Sequence, residues 1–210
     1  MKLMPNDDDR TLARETFERF SSRPGAQHIA TEFALTYLSA LLRTSRPSSV
    51  LEFGAGIGTI TSMLMDHPSG IEHVTCTEDH PFCLEQLDLN LRPEQKERLR
   101  LIKEKSRIGT IDRNFDLIIF DGEFGAIEKL RFLDDRVACF VEGARNRTRD
   151  AIDRHLADRS LACDFTNYNR GRKLMSMSWQ KKRRLGMRLP RLQFNKVVKG
   201  CWVGVVSRST

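Results

Sequence analysis

Between residues 26 and 43 the apolar side chains Ile29, Phe33, Ala34, Tyr37, Leu38, Leu41 and Leu42 recur at steps of three and four. That spacing predicts an amphipathic helix with one face turned to a core. A different pattern starts at Val50. The run Val50-Leu-Glu-Phe is short, mostly apolar and followed by glycines, as a buried strand would be. Further strands are expected at 73–78, 99–103, 115–121, 136–142, 161–165 and 201–207, and further helices at 11–20, 59–66, 82–91, 124–134 and 146–158. Phe115-Asp-Leu-Ile-Ile-Phe-Asp-Gly122 is the clearest of the strands, and its unbroken apolar stretch suits a central parallel position covered on both faces. Strands that alternate with helices predict an α/β, doubly wound, mostly parallel sheet. Residues 1–10 carry three consecutive aspartates and are expected to be a disordered tail, leaving a single domain from 11 to 210.

The chain has 210 residues, 40% of them hydrophobic and 30% charged, enough for one sizeable core. Its start does not read as a signal peptide, and no apolar run approaches the ~20 residues that a membrane helix needs. A cytoplasmic location without membrane attachment is the default expectation. The five cysteines (Cys76, Cys83, Cys139, Cys163, Cys201) form no C-x-x-C pair, and buried reduced thiols are expected rather than a disulfide framework or a zinc site. Charge changes the picture more. The formal net charge is +7, yet residues 166–199 hold 11 Lys or Arg and no Asp or Glu, which leaves 24 basic against 28 acidic residues elsewhere. A mildly acidic domain therefore carries one strongly basic insertion, just before the last strand.

The segment Glu52-Phe-Gly-Ala-Gly-Ile-Gly58 places glycines at alternate positions between a strand and a helix. Glycine allows positive φ and lets a ligand approach the backbone, and the helix start offers free N–H groups. The dinucleotide fingerprint G-x-G-x-x-G has its third glycine one residue later. The spacing found here resembles motif I of the Rossmann-like, class I S-adenosylmethionine-dependent methyltransferases, with the O-methyltransferases nearest in general layout. The resemblance covers roughly residues 26–165 and 200–207. It implies a seven-stranded sheet whose last strand is antiparallel, and S-adenosylmethionine as cofactor. It also implies that Glu52, Gly54, Ala55, Gly56 and Gly58 hold the methionine part, with Glu52 near its charged end.

Ligands of such sheets bind beyond the carboxyl ends of the strands. Glu78, ending the second strand, can accept both hydroxyls of a ribose, or it can cap the helix that follows. By resemblance, Asp79 and Ser106 lie where adenine is met, and Phe82 could flank the base. Asp121, which matches motif IV, and nearby Glu123 are candidates for catalysis, Asp121 also for cofactor contact; the alternative for Asp121 is a helix cap. Asp121, Glu123, Glu142 and His28 are the candidate bases for an acceptor that must lose a proton. Metal dependence is not expected. The metal-dependent relatives set an acid and an amide side by side after strand five, and here the strand ends Val141-Glu-Gly-Ala144. Neither an Asn-Pro-Pro-Tyr-like run nor a Pro-Cys motif is present. The acceptor expected is the oxygen of an anionic small molecule or saccharide, recognised by the arginine-rich insertion. RNA methylation, or a non-catalytic cofactor-binding module whose basic arm engages nucleic acid or protein, is the alternative.

Overall fold

The computed structural model describes residues 2–103, 114–121, 131–143, 145–168 and 200–209. The chain runs α1 (Asp7–Ser21), a 3-10 turn (Ala26–His28), α2 (Glu32–Ser45), β1 (Ser49–Phe53), α3 (Thr59–Asp66), β2 (His73–Thr77), α4 (Pro81–Asn90), α5 (Pro93–Glu97), β3 (Leu99–Ile102), β4 (Leu117–Phe120), β5 (Ala138–Glu142), α6 (Asn146–Ala157), β6 (Leu161–Cys163), β7 (Thr166–Tyr168) and β8 (Cys201–Arg208). The sheet order is β3-β2-β1-β4-β5-β8-β6, with β7 also on β8. Strands β1 to β5 pair in parallel, and β8 inserts antiparallel. This is the expected Rossmann-like methyltransferase fold.

Alternation along the central strands sets the two faces. Leu117 and Ile119 of β4 and Ala138 and Phe140 of β5 face the layer of α1, α2 and α3. Ile118, Phe120, Cys139 and Val141 face the opposite way, toward Ile152 and Leu156 of α6. Both faces are apolar because both are covered, which is why these strands read as continuous hydrophobic runs.

Four details depart from the sequence reading. The first ten residues are not all a tail: α1 begins at Asp7, and Leu3 is buried. Asn6 and Asp9 form a reciprocal capping box, with each backbone N–H donating to the other's side chain at 2.9 Å. Asp9 then reaches into the interior, where Ser39 Oγ donates to it at 2.9 Å and Arg43 Nη2 at 2.9 Å. Second, the helix expected from residue 26 starts only at Glu32, because Thr31 accepts from the Ala34 N–H and caps it there. Third, α5 occupies what reads in sequence as a charged connection. Fourth, the sheet has eight strands and not seven. The strand expected at 161–165 ends at Cys163 as β6, and after a break a further strand, β7, follows at Thr166–Tyr168; both lie on one edge of β8. At the break Gly204 admits close contact: a Cβ there would sit 2.5 Å from Cys163 Sγ and 3.0 Å from the Asp164 carbonyl oxygen. The basic insertion expected at 166–199 therefore begins with a strand, and its remainder, 169–199, lies outside the described residues, as do most of the helix expected at 124–134, Ser106 and Glu123.

Burial alone would raise the Asp9 carboxyl, but hydrogen bonds from Arg43, the Asn6 backbone and Ser39 hold it below its usual value. Asp9→Ala removes a cap and the counter-charge of Arg43, and is expected to lower unfolding free energy by about 1–3 kcal/mol in urea titrations. An unchanged midpoint would mean that this network does not anchor α1.

Candidate functional site

The strand order reverses between β1 and β4, and at their carboxyl ends lies a cavity of about 370 Å³. Open α/β sheets bind ligands at such a reversal, and the volume falls in the usual range for small-molecule sites. The loop between β1 and α3 forms its floor. Gly54, Gly56 and Gly58 take φ of +89°, +55° and +94°, the left-handed region that disfavours any side chain. Gly58 is also packed tightly, since a Cβ there would meet Leu87 Cδ1 at 2.8 Å, whereas a Cβ on Gly56 would point into open space.

Glu78 fixes this loop. Its Oε2 accepts from the Gly56 N–H at 2.8 Å, while Oε1 accepts from the Asp79 and His80 N–H groups, both at 2.9 Å. The carboxylate thus joins the end of β2 to the glycine turn and caps the approach to α4 at once. A carboxylate offers roughly four acceptor positions, and these bonds take three of them.

Glu52 lies below the loop, fully buried, on the face of β1 that meets α3. Thr61 Oγ1 donates to its Oε2 at 2.6 Å, and its Oε1 has no hydrogen-bond partner among the described residues. Desolvation, with a contribution from the nearby Glu78 charge, pushes this carboxyl up to about 8. The acid is therefore mainly protonated near neutral pH.

Of the residues expected from sequence, Ala55, Gly56 and Asp121 line the cavity. Glu52, Gly54, Gly58 and Glu78 surround it as supports, and Asp79 is exposed outside its wall. Sequence reasoning missed most of the opposite wall, formed by Gly25, Gln27, Ile29 and Ala30 together with His28. A helix reading had set His28 on a regular face, whereas it ends the 3-10 turn and borders the cavity. The one available signal was the turn sequence ending at Gly25. That glycine has φ +88°, and a Cβ on it would lie 2.8 Å from Ile57 Cγ2 and 3.0 Å from Phe82 Cε1. His80, Phe82 and Cys83 complete the rim. Phe82 is 40% exposed at this rim.

Asp121 and Glu142 end adjacent strands, and Arg145 Nη2 lies 3.4 Å from Asp121 Oδ1 and 3.1 Å from Glu142 Oε2. Among the described residues no group of three or more His, Cys, Asp or Glu is arranged to hold a metal. The thiols Cys76, Cys139 and Cys201 are buried and pushed well above their usual value, first by desolvation, which makes them poor nucleophiles. A larger, open hollow of about 980 Å³ lies at the other end of the sheet, around Arg46, Asp116 and Arg136. It faces the amino ends of β4 and β5, away from the glycine loop.

No family model matches the chain, and neither does any curated protein. Solved structures do. An O-methyltransferase from Bacillus cereus in complex with SAH superposes with a TM-score of 0.63 at 14% identity, over 98% of this chain and 93% of that one. The SAH-bound Podospora anserina methyltransferase PaMTH1 gives 0.58 at 13%, over 100% and 91%. The O-methyltransferase TomG from Streptomyces achromogenes, in complex with SAM, gives 0.56 at 14%, over 99% and 92%. At these identities the likeness establishes the fold, which is that of the class I methyltransferases. Among the described residues no helix is long and apolar enough to cross a membrane.

The raised Glu52 carboxyl has a definite consequence for stability. Below its unfolded value of 4.5 its contribution is fully present, and it is lost progressively as pH rises through the folded value near 8. Thermal midpoints of the parent should therefore decline across that window, while Glu52→Gln should flatten the decline. Equal slopes for the two proteins would show that Glu52 is ionised in the fold.

Proposed function

We propose that this chain is an S-adenosylmethionine-dependent methyltransferase acting on an oxygen of a small molecule. The observation that carries the reading is the glycine-floored cavity at the strand-order reversal, held from below by Glu52 and from the side by Glu78. The residues fit the cofactor. Glu52 leaves one oxygen unpartnered beneath the loop, and an ammonium bound above it would favour the ionised form of this carboxyl. The open space above Gly56 admits the methionine part against bare backbone. In this reading Gly54, Ala55, Gly56 and Gly58 cradle that part, and Glu78 keeps one acceptor position, enough for one hydroxyl of the ribose. Phe82 and His80 give the base an apolar and a polar neighbour. When bound, the cofactor supplies an electrophilic methyl group on a sulfonium.

The chain's own task is alignment. The loop fixes one partner, and the far wall at residues 25–30, with Asp121, bounds the space from which an acceptor oxygen would approach. Asp121 stands at the cavity and is the described carboxylate best placed to take a proton from a hydroxyl. Glu142, another of the candidate bases, is buried and less open to an acceptor than Asp121.

The acceptor we favour is anionic, a phosphorylated or acidic saccharide or similar small molecule. The described groups around Asp121 and Glu142 hold two carboxylates against one guanidinium, so positive charge for such an acceptor must come from elsewhere. The register supplies a source. Tyr168 pairs with Cys201, and Cys201 pairs with Glu142, so the segment 169–199 leaves and re-enters the fold at the sheet end that carries the cavity. Its 11 Lys and Arg are then the cations to recognise the acceptor. Tyr168 is fixed there by its ring against Tyr37, with centroids 4.2 Å apart, and by the Leu3 N–H donating to its hydroxyl at 2.8 Å.

Calorimetry with S-adenosylhomocysteine tests the cofactor assignment. Glu78→Ala removes a charged acceptor and the clamp on Gly56, and affinity should fall about 10–100-fold. Unchanged affinity would remove the ribose role. Failure of the parent to bind at all would remove the methyltransferase reading.

A further inference from the structure

The carboxyl ends of β4 and β5 each deliver an acid to one face of the sheet. The register pairs Phe120 with Val141, so Asp121 and Glu142 follow as neighbours on adjacent parallel strands. Both continue the parity of the residues that face α1 to α3. The Glu142 side chain is 2% exposed and that of Asp121 17%. Two carboxylates on strands about 4.8 Å apart, sheltered from water, repel each other and call for a cation.

The chain provides that cation. One nitrogen of Arg145 stands within reach of an oxygen from each acid, at 3.1 Å and 3.4 Å. A divalent ion bridging the same two acids needs oxygen ligands at about 2.0–2.6 Å and would have to occupy that space. The helix does not explain the arginine. Arg145 is the N-cap residue of α6, makes no side-chain cap, and a positive charge at a helix N-terminus is disfavoured by the helix dipole. Gly143 has φ +73°, and a Cβ there would lie 3.5 Å from Arg145 Nε.

The geometry points to Arg145 as the resident cation of the transfer site: a fixed guanidinium stands between Asp121 and Glu142 in place of a divalent ion and positions the Asp121 carboxylate at the cavity wall. The functional meaning rests on reading that cavity as the cofactor end of a methyltransferase; the placement of the cation does not. It also narrows the acceptor. A bound divalent ion favours substrates that offer two adjacent oxygens for chelation, whereas a guanidinium beside a carboxylate needs only a single hydroxyl. Arg145 is a positioning residue in this account.

Manganese, followed by its paramagnetic resonance signal, is the probe, with S-adenosylhomocysteine binding measured calorimetrically on the same full-length samples. The parent should leave the free-ion signal unchanged, and Arg145→Lys, which keeps the charge, should do the same. Arg145→Met should take up a single equivalent of Mn²⁺ that Mg²⁺ displaces, and adding Glu142→Gln should abolish the uptake. The proposal is overturned if the parent binds Mn²⁺ in a way that Asp121→Asn removes. It is equally overturned if Arg145→Met binds S-adenosylhomocysteine like the parent yet takes up no metal. Should Arg145→Met fail to fold, the parent with Asp121→Asn still decides the question. Loss of homocysteine-nucleoside binding by the parent, with the metal results as expected, would sink the cofactor reading alone.

Discussion

The Glu78 carboxylate accepts from the backbone amides of Gly56, Asp79 and His80, and through them it ties the loop after β1 to the start of α4. Much of the carboxyl edge of the sheet depends on that arrangement. The glycines of the loop sit in a backbone region that is freely accessible to them and open to other conformations as well, so their entropy must be offset by specific bonds. Gly54 and Ala55 donate to the Thr77 carbonyl, Gly58 donates to that of Ala55, and Gly56 is held by Glu78. With those amides satisfied, the loop presents bare backbone to the cavity in one conformation. A ligand meeting it need not supply the ordering itself.

Charge at this end of the molecule follows from the same architecture. Parallel strands end together, and β1, β4 and β5, with the residue after β2, bring Glu52, Asp121, Glu142 and Glu78 to one rim. Glu52 escapes repulsion by holding its proton, at the cost of an unpaired oxygen. Glu78 is steadied by amide dipoles, and Asp121 and Glu142 by Arg145. Three devices thus serve the four acids, and the described rim stays on the negative side of neutral. Such a rim suits a sulfonium, while a negatively charged acceptor would depend on the basic segment between β7 and β8.

Much of this could be read from the residues alone. The alternation of apolar runs with helical periodicity specified the layers, because buried parallel strands have no polar face to confuse the pattern. The spacing Gly54, Gly56, Gly58 after Glu52 marked the loop, since φ in the left-handed region leaves a compositional trace. Contacts made by distant or ordinary residues left none. Arg145 looks like one of many surface arginines until the register sets Glu142 beside Asp121. The wall at Gly25–Ala30 was hidden by apolar spacing that runs on past a helix start fixed by one threonine hydroxyl. The first turn of the N-terminal helix was missed for a similar reason: three aspartates read as solvated, yet Asp9 is buried against Arg43 and Ser39.

Amide hydrogen exchange of the full chain, with and without S-adenosylhomocysteine, addresses the location of the ligand most directly. The account predicts slowed exchange in residues 54–60 and 78–83 and in the wall at 25–30, with the amino end of the sheet unaffected. No change at the glycine loop, or protection confined to the hollow around residues 45–48 and 131–138, would contradict it.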